Sequence, residues 1–167
     1  MNANVEAPSL AYFNHPDALI CGIGNVGRQD DGLGWAAIDW IEDSGLVPQA
    51  ECLRLYQLQL QDAEDLSRKS RVLFVDATQD EAVASFEWQR PLPRQDYSFT
   101  SHAISVPALM ATCQTCFGRL PEVFVLAIRG HEWELEQGLS LRAQRHLEAA
   151  LRSFIAVADH ETFASTV

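Results

Sequence analysis

Gly22-Ile23-Gly24-Asn25-Val26-Gly27-Arg28-Gln29-Asp30-Asp31-Gly32-Leu33-Gly34 follows an apolar run at residues 18–21 and opens into an amphipathic helical pattern. An apolar strand that passes through a glycine-lined turn into a helix is the first unit of an α/β chain, since glycine allows positive φ and close backbone approach at the turn. Asp30 and Asp31 fall near the first helical turn, where partial positive charge favours ionised side chains. Two adjacent carboxylates there suit a metal ion or a proton.

Outward from this stretch the same alternation continues. Residues 18–22, 52–57, 71–77 and 123–128 have the composition of buried strands, and residues 84–88 form an additional candidate. Helical patterns occupy residues 35–41, 60–68, 104–117 and 141–158, with Ser140 as an N-cap and Gly118 followed by Pro121 as a stop. The expected fold class is α/β, a three-layer sandwich with a mostly parallel central sheet flanked by helices on both faces. One domain spans residues 1–167, with an ordered core over about 17–159 and frayed tails at 1–16 and 160–167.

The formal net charge of −11 disfavours nucleic acid and anionic membranes as partners and better tolerates a basic protein or peptide. Residues 1–16 carry no basic segment leading into a long apolar run, and nowhere do eighteen apolar residues follow one another, so the expected location is cytoplasmic. Cys21, Cys52, Cys113 and Cys116 are then expected as reduced thiols. The Cys113-Gln-Thr-Cys116 pair lies late in a helical stretch and lacks a second ligand pair, so both thiols are expected as small core residues on one helix face.

Gly22-x-Gly24-x-x-Gly27 also matches the dinucleotide fingerprint literally, but that motif alone is weak. A nucleotide site needs bare helix N–H groups at the pyrophosphate and an acid ending the second strand for the ribose. Here Arg28, Gln29, Asp30 and Asp31 intervene, and the second strand ends in Leu55-Tyr56-Gln57. Nicotinamide binding is not expected.

In open α/β sheets the functional crevice lies beyond the C-terminal strand ends. Three residues stand there: Asp31 after the first strand, Asp76 closing Val72-Leu73-Phe74-Val75-Asp76, and His102 ahead of the third helix. Singly, each has an ordinary explanation as a loop or helix-terminus residue. Together they predict convergence of two carboxylates and an imidazole, a donor set for a borderline divalent ion such as Ni²⁺ or Zn²⁺ with positions left open. The other histidines rank lower: His15 and His160 in the tails, His146 among polar residues in mid-helix, and His131 at a possible rim.

Gly22-Ile-Gly-Asn with Asp30-Asp31-Gly-Leu-Gly34, then Val-Leu-Phe-Val-Asp76-Ala, then Thr-Ser-His102, then a late strand leading to Gly138-Leu-Ser140, resemble the hydrogenase maturation endopeptidases over nearly the whole chain. The resemblance implies an α/β protein that cuts a C-terminal extension from the large-subunit precursor of a nickel-iron hydrogenase once nickel is inserted. It implies catalytic and metal-contacting roles for Asp31, Asp76 and His102, a metal-dependent or aspartic-type peptidase, and nickel that is substrate-borne or bridging. Zinc or cadmium are stand-ins in vitro, and the expected state is a monomer. Some relatives carry Glu where Asp31 stands, and Tyr56-Gln-Leu-Gln-Leu60 replaces a glycine-rich segment, which points to a different hydrogenase substrate. Neither Gly-x-Ser-x-Gly nor His-Glu-x-x-His occurs. A metal that polarises the carbonyl or activates water, with Asp30 or Asp31 taking the proton, is left open. So are a non-catalytic nickel-sensing maturation chaperone and a Rossmann-like oxidoreductase.

Overall fold

Ala18–Ile23 forms β1, and all six of its residues are buried, as a strand covered on both faces requires. In the computed structural model, which describes residues 5–95 and 103–164 with side chains described through residue 154, β1 is paired in parallel on both edges. On one side lies β2 (Glu51–Leu55), and on the other β3 (Arg71–Thr78). β5 (Glu122–Arg129) continues the parallel run beyond β3, and β4 (Phe86–Gln89) closes it antiparallel, for an order β2-β1-β3-β5-β4.

Because side chains alternate across a strand, the two faces collect different residues of the same strands. Ala18, Ile20, Leu73, Val75, Leu126 and Ile128 join the core that holds α1 (Leu33–Ser44) and α4 (Leu141–Ala164). Leu19, Cys21, Val72, Phe74, Val123 and Val125 join the core beneath α2 (Asp62–Ser67) and α3 (Val106–Phe117). Two cores against one sheet make the three layers that the sequence predicts.

Boundaries shift for local reasons. The second strand ends at Leu55 instead of Gln57, where the Trp35 indole N–H donates to the Leu55 carbonyl at 3.0 Å. Helix α3 starts at Val106, because the Ser105 hydroxyl accepts from the Ala108 amide and Pro107 occupies the first turn; it stops, as expected, at Gly118 in the left-handed region. At α4 the Ser140 hydroxyl accepts from the Ala143 amide, as expected of an N-cap.

The N-terminal segment corrects the expected tail. Leu10–Phe13 forms a 3-10 turn capped by Ser9, and Phe13 is completely buried, edge-to-face with Phe124 at 5.7 Å between centroids. Burial of one such ring is worth about 2–3 kcal/mol relative to exposure, enough to fix a turn that local propensity alone would not. The core therefore begins before residue 17.

β1 has β2 on one side and β3 on the other, so the chain leaves adjacent strands in opposite directions. The cleft between the C-terminal ends of β1 and β3 is the topological switch point of the sheet, where such folds bind ligands. Asp31 follows β1 and Asp76 belongs to the end of β3.

Candidate active site

The turn after β1 is set by close backbone approach. Gly24 has φ of +141°, and a Cβ there would lie 1.9 Å from the Asp31 carbonyl oxygen. At Gly34 a Cβ would lie 2.4 Å from the Ile23 carbonyl oxygen and 2.5 Å from that of Val75, so the start of α1 presses on the ends of β1 and β3. Gly22 and Gly24 of the fingerprint, with Gly34 beyond it, serve close packing of the turn and helix on the strand ends. Between them Gln29 sits at φ of +45°, a left-handed conformation that costs a non-glycine residue about 1–2 kcal/mol. The 130–140 loop holds it: the Gln29 amide donates to the Glu136 carbonyl at 2.8 Å, and Gln29 Oε1 accepts from the Glu134 amide at 2.9 Å.

Asp30 is completely buried. Its Oδ2 accepts from the His131 amide at 2.7 Å, the Glu132 amide at 2.9 Å and the Ser140 hydroxyl at 2.8 Å, while Oδ1 accepts from the Ser140 amide at 2.7 Å. Burial pushes its pKa up, but the donors on His131, Ser140 and Glu132 outweigh this and hold it below the ordinary carboxylate value. A carboxylate with these four donors is a fastener between the opening turn and the loop after β5. This corrects the alternative in which Asp30 is the free base.

Asp31 is half-buried, and its Oδ2 accepts from the Asn25 amide at 3.0 Å. Asp76 is in the opposite condition to Asp30. Its pKa is raised to about 7, chiefly by burial, with the Ala77 amide offsetting part of the rise and the negative charge of Asp31 adding to it. Asp31 and Asp76 are thus brought near one another at the switch point. Asp76 also lines a cleft of about 370 Å³ whose walls include Ile23, Leu58, Ile104, Val106 and Val125. Beneath it, burial and then the charges of Asp62 and Asp76 push the Cys21 thiol up to about 12, which removes it as a nucleophile.

His102 lies outside the described residues. Among the described residues no group of three or more His, Cys, Asp or Glu side chains is placed to hold a metal ion. Asp31 and Asp76, two of the three residues predicted to converge, both stand at the C-terminal end of the sheet.

Sequence reasoning missed one polar cluster. His131 Nε2 and His146 Nε2 lie 3.0 Å apart, and His146 Nδ1 lies 2.9 Å from Ser85 Oγ. His131 is not merely a rim residue, and His146 does not simply face solvent. Burial first, then the neighbouring Arg142 and Arg129, lower the His131 pKa; burial, His131 and the same two arginines lower that of His146. The contact joins a loop to a helix, so no local spacing announces it. The cysteine pair divides: Cys113 is completely buried with its thiol donating to the Arg119 carbonyl at 3.0 Å, whereas Cys116 is exposed. A separation of three residues leaves about 60° between them around the helix, enough at the edge of a buried stripe to put one in water.

No family model and no curated protein matches the sequence. Solved structures do match the fold. The hydrogenase maturating endopeptidase HybD of Escherichia coli is 18% identical, aligns over 86% of this chain and 93% of its own, and superposes with a TM-score of 0.64. The [NiFe] hydrogenase maturation protease HycI of Thermococcus kodakarensis is 19% identical over 82% of this chain and 91% of its own, with a TM-score of 0.61. A hydrogenase 2 maturation peptidase from a Thaumarchaeota archaeon is 19% identical over 85% and 97%, with a TM-score of 0.62. At these identities the likeness is one of fold, and it bears out the α/β architecture.

Proposed function

We propose that this chain is an endopeptidase that removes the C-terminal extension from the nickel-loaded large-subunit precursor of a nickel-iron hydrogenase. The observation that carries the reading is the pairing of Asp31 with Asp76, half-buried and with a raised pKa, at the switch point, on a fold shared with maturation proteases. The chemistry of the donor set fits the task. Two carboxylates whose charges repel one another are stabilised by a cation placed between them, and His102 is the proposed third contact. The nickel belongs to the substrate, where it would supply positive charge beside the scissile peptide.

The chain's own residues do the rest. Asp31, fixed by the Asn25 amide, orients the incoming centre. Asp76, with a pKa of about 7 before the cation arrives, gives up its proton as the cation docks and meets it as a carboxylate. The apolar walls of the adjoining cleft accept an extended peptide and exclude water from around it. Among the described residues no helix is long and apolar enough to cross a membrane.

The test is incubation with nickel-loaded and metal-free large-subunit precursors, followed by mass spectrometry of the C-terminus. Loss of the tail from the loaded precursor alone is the expected result. An intact tail in both overturns the peptidase reading. Wild-type processing by His102→Ala removes that residue from the site.

A further inference from the structure

The His131–His146 pair lies outside the Asp31–Asp76 site, and nothing in the proposed reaction uses it. We propose that these two imidazoles form a binding site for one borderline divalent ion of the Zn²⁺ class, independent of the peptidase reading. Two nitrogens bound to one tetrahedral Zn²⁺ at about 2.0–2.1 Å stand about 3.3 Å apart. The two Nε2 atoms already lie 3.0 Å apart, with the rings tilted by 41° and their centroids 5.2 Å apart. Opening the pair by a few tenths of an ångström converts a hydrogen bond into a chelate.

The backbones are held in place for this. The His131 amide donates to Asp30 at 2.7 Å, His146 is carried by α4, and the Ser85 carbonyl accepts from the Arg129 amide at 2.8 Å. The outer contact that ligating histidines use is also present, since His146 Nδ1 faces Ser85 Oγ at 2.9 Å. In the hydrogen-bonded pair one Nε2 carries the proton. In the bound state both rings carry it on Nδ1, that of His146 donating to Ser85, and both Nε2 lone pairs go to the ion. Arg142 and Arg129 outweigh the acids Asp30 and Glu132 here, and with burial they favour the neutral imidazoles that a metal needs, so the ion binds against a local positive field. Both rings are half-buried, and water or a ligand from solution completes the coordination.

Titration of the full chain with Zn²⁺ alone, followed by calorimetry and imidazole ¹⁵N NMR, tests the assignment. The expected result is saturable binding in which His131 and His146 both shift to the Nδ1-protonated form, and do so equally in an Asp31→Asn, Asp76→Asn double variant. Ser85→Ala, which keeps both ligands, should bind about tenfold more weakly. His146→Gln should lose this binding while its far-UV circular dichroism stays that of the parent. Unmoved His131 and His146 signals at saturating Zn²⁺, or undiminished binding at this site in His146→Gln, overturns the proposal and leaves the pair a structural hydrogen bond.

Discussion

Asp30 and Asp76 are carboxylates of one sheet edge in opposite states. Asp30 is saturated by four donors and held below its ordinary pKa, whereas Asp76 has one amide donor among the described residues, a like charge nearby and a pKa near 7. Asp30 is completely buried and Asp76 half-buried, so exposure does not explain why Asp76 has the higher pKa. Hydrogen-bond supply does. Where donors are plentiful the charge fastens two segments, and where they are scarce the charge is left for something outside the chain.

The contrast breaks most visibly at Asp30. Asp30→Ala strands the amides of His131, Glu132 and Ser140 and the Ser140 hydroxyl, and it should cost about 4 kcal/mol in urea unfolding. A loss below about 1 kcal/mol would mean that water replaces the carboxylate and that the fastener is dispensable.

Asp76→Asn should act in the reverse direction. The folded pKa of about 7 lies above the unfolded value, so the native state binds the proton more tightly and stability falls as pH rises from about 4 to about 7, then levels off. An amide escapes that fall. Melts at pH 8 should therefore show the variant more stable by about 2 kcal/mol, after solvent screening of the shift, while precursor processing is lost. A variant less stable than the parent at pH 8 would show that Asp76 is better satisfied than its surroundings suggest.

The two cysteines repeat the contrast with less at stake. Cys113→Ser places a hydroxyl in the core under α3 and should cost about 1 kcal/mol, whereas Cys116→Ser should stay within about 0.5 kcal/mol of the parent. Equal losses in thermal melts would return the pair to one buried face. The smallest effect concerns the histidines. Their folded pKa values lie below the ordinary value, so the unfolded chain binds more protons in mildly acidic solution and stability falls as pH drops below about 6.5. His146→Gln should flatten that part of the urea-midpoint profile, and an unchanged slope would break the link.

How much of this was legible follows the range of each interaction. The layers were readable because β1, β3 and β5 are short apolar runs, and the alternation of strand and helix leaves few arrangements. Asp76 was visible as a carboxylate ending such a run. The division of labour between Asp30 and Asp31 was not, since the donors on Asp30 come from residues 131–140, a hundred positions downstream. Leu10–Phe13 was mistaken for part of a tail because one short turn carries no measurable periodicity, and its anchor, Phe13 on Phe124, is again a distant contact. His102 is outside the described residues, so its predicted place with Asp31 and Asp76 rests on spacing and resemblance.

The Ser140 hydroxyl accepts from the Ala143 amide and donates to Asp30, which joins the start of the last helix to the turn beside Asp31 across 110 positions of chain. Its consequence is one of timing. Loop closure over such a span comes at a greater entropic cost than any local contact, and on the ribosome the Ser140 end of the pair is made last. The acidic turn is synthesised well before the segment that finishes it. A nascent chain halted before α4 would hold a nearly complete sheet and an open, unfastened turn, so the C-terminal helix acts as the closing step that sets the site in order.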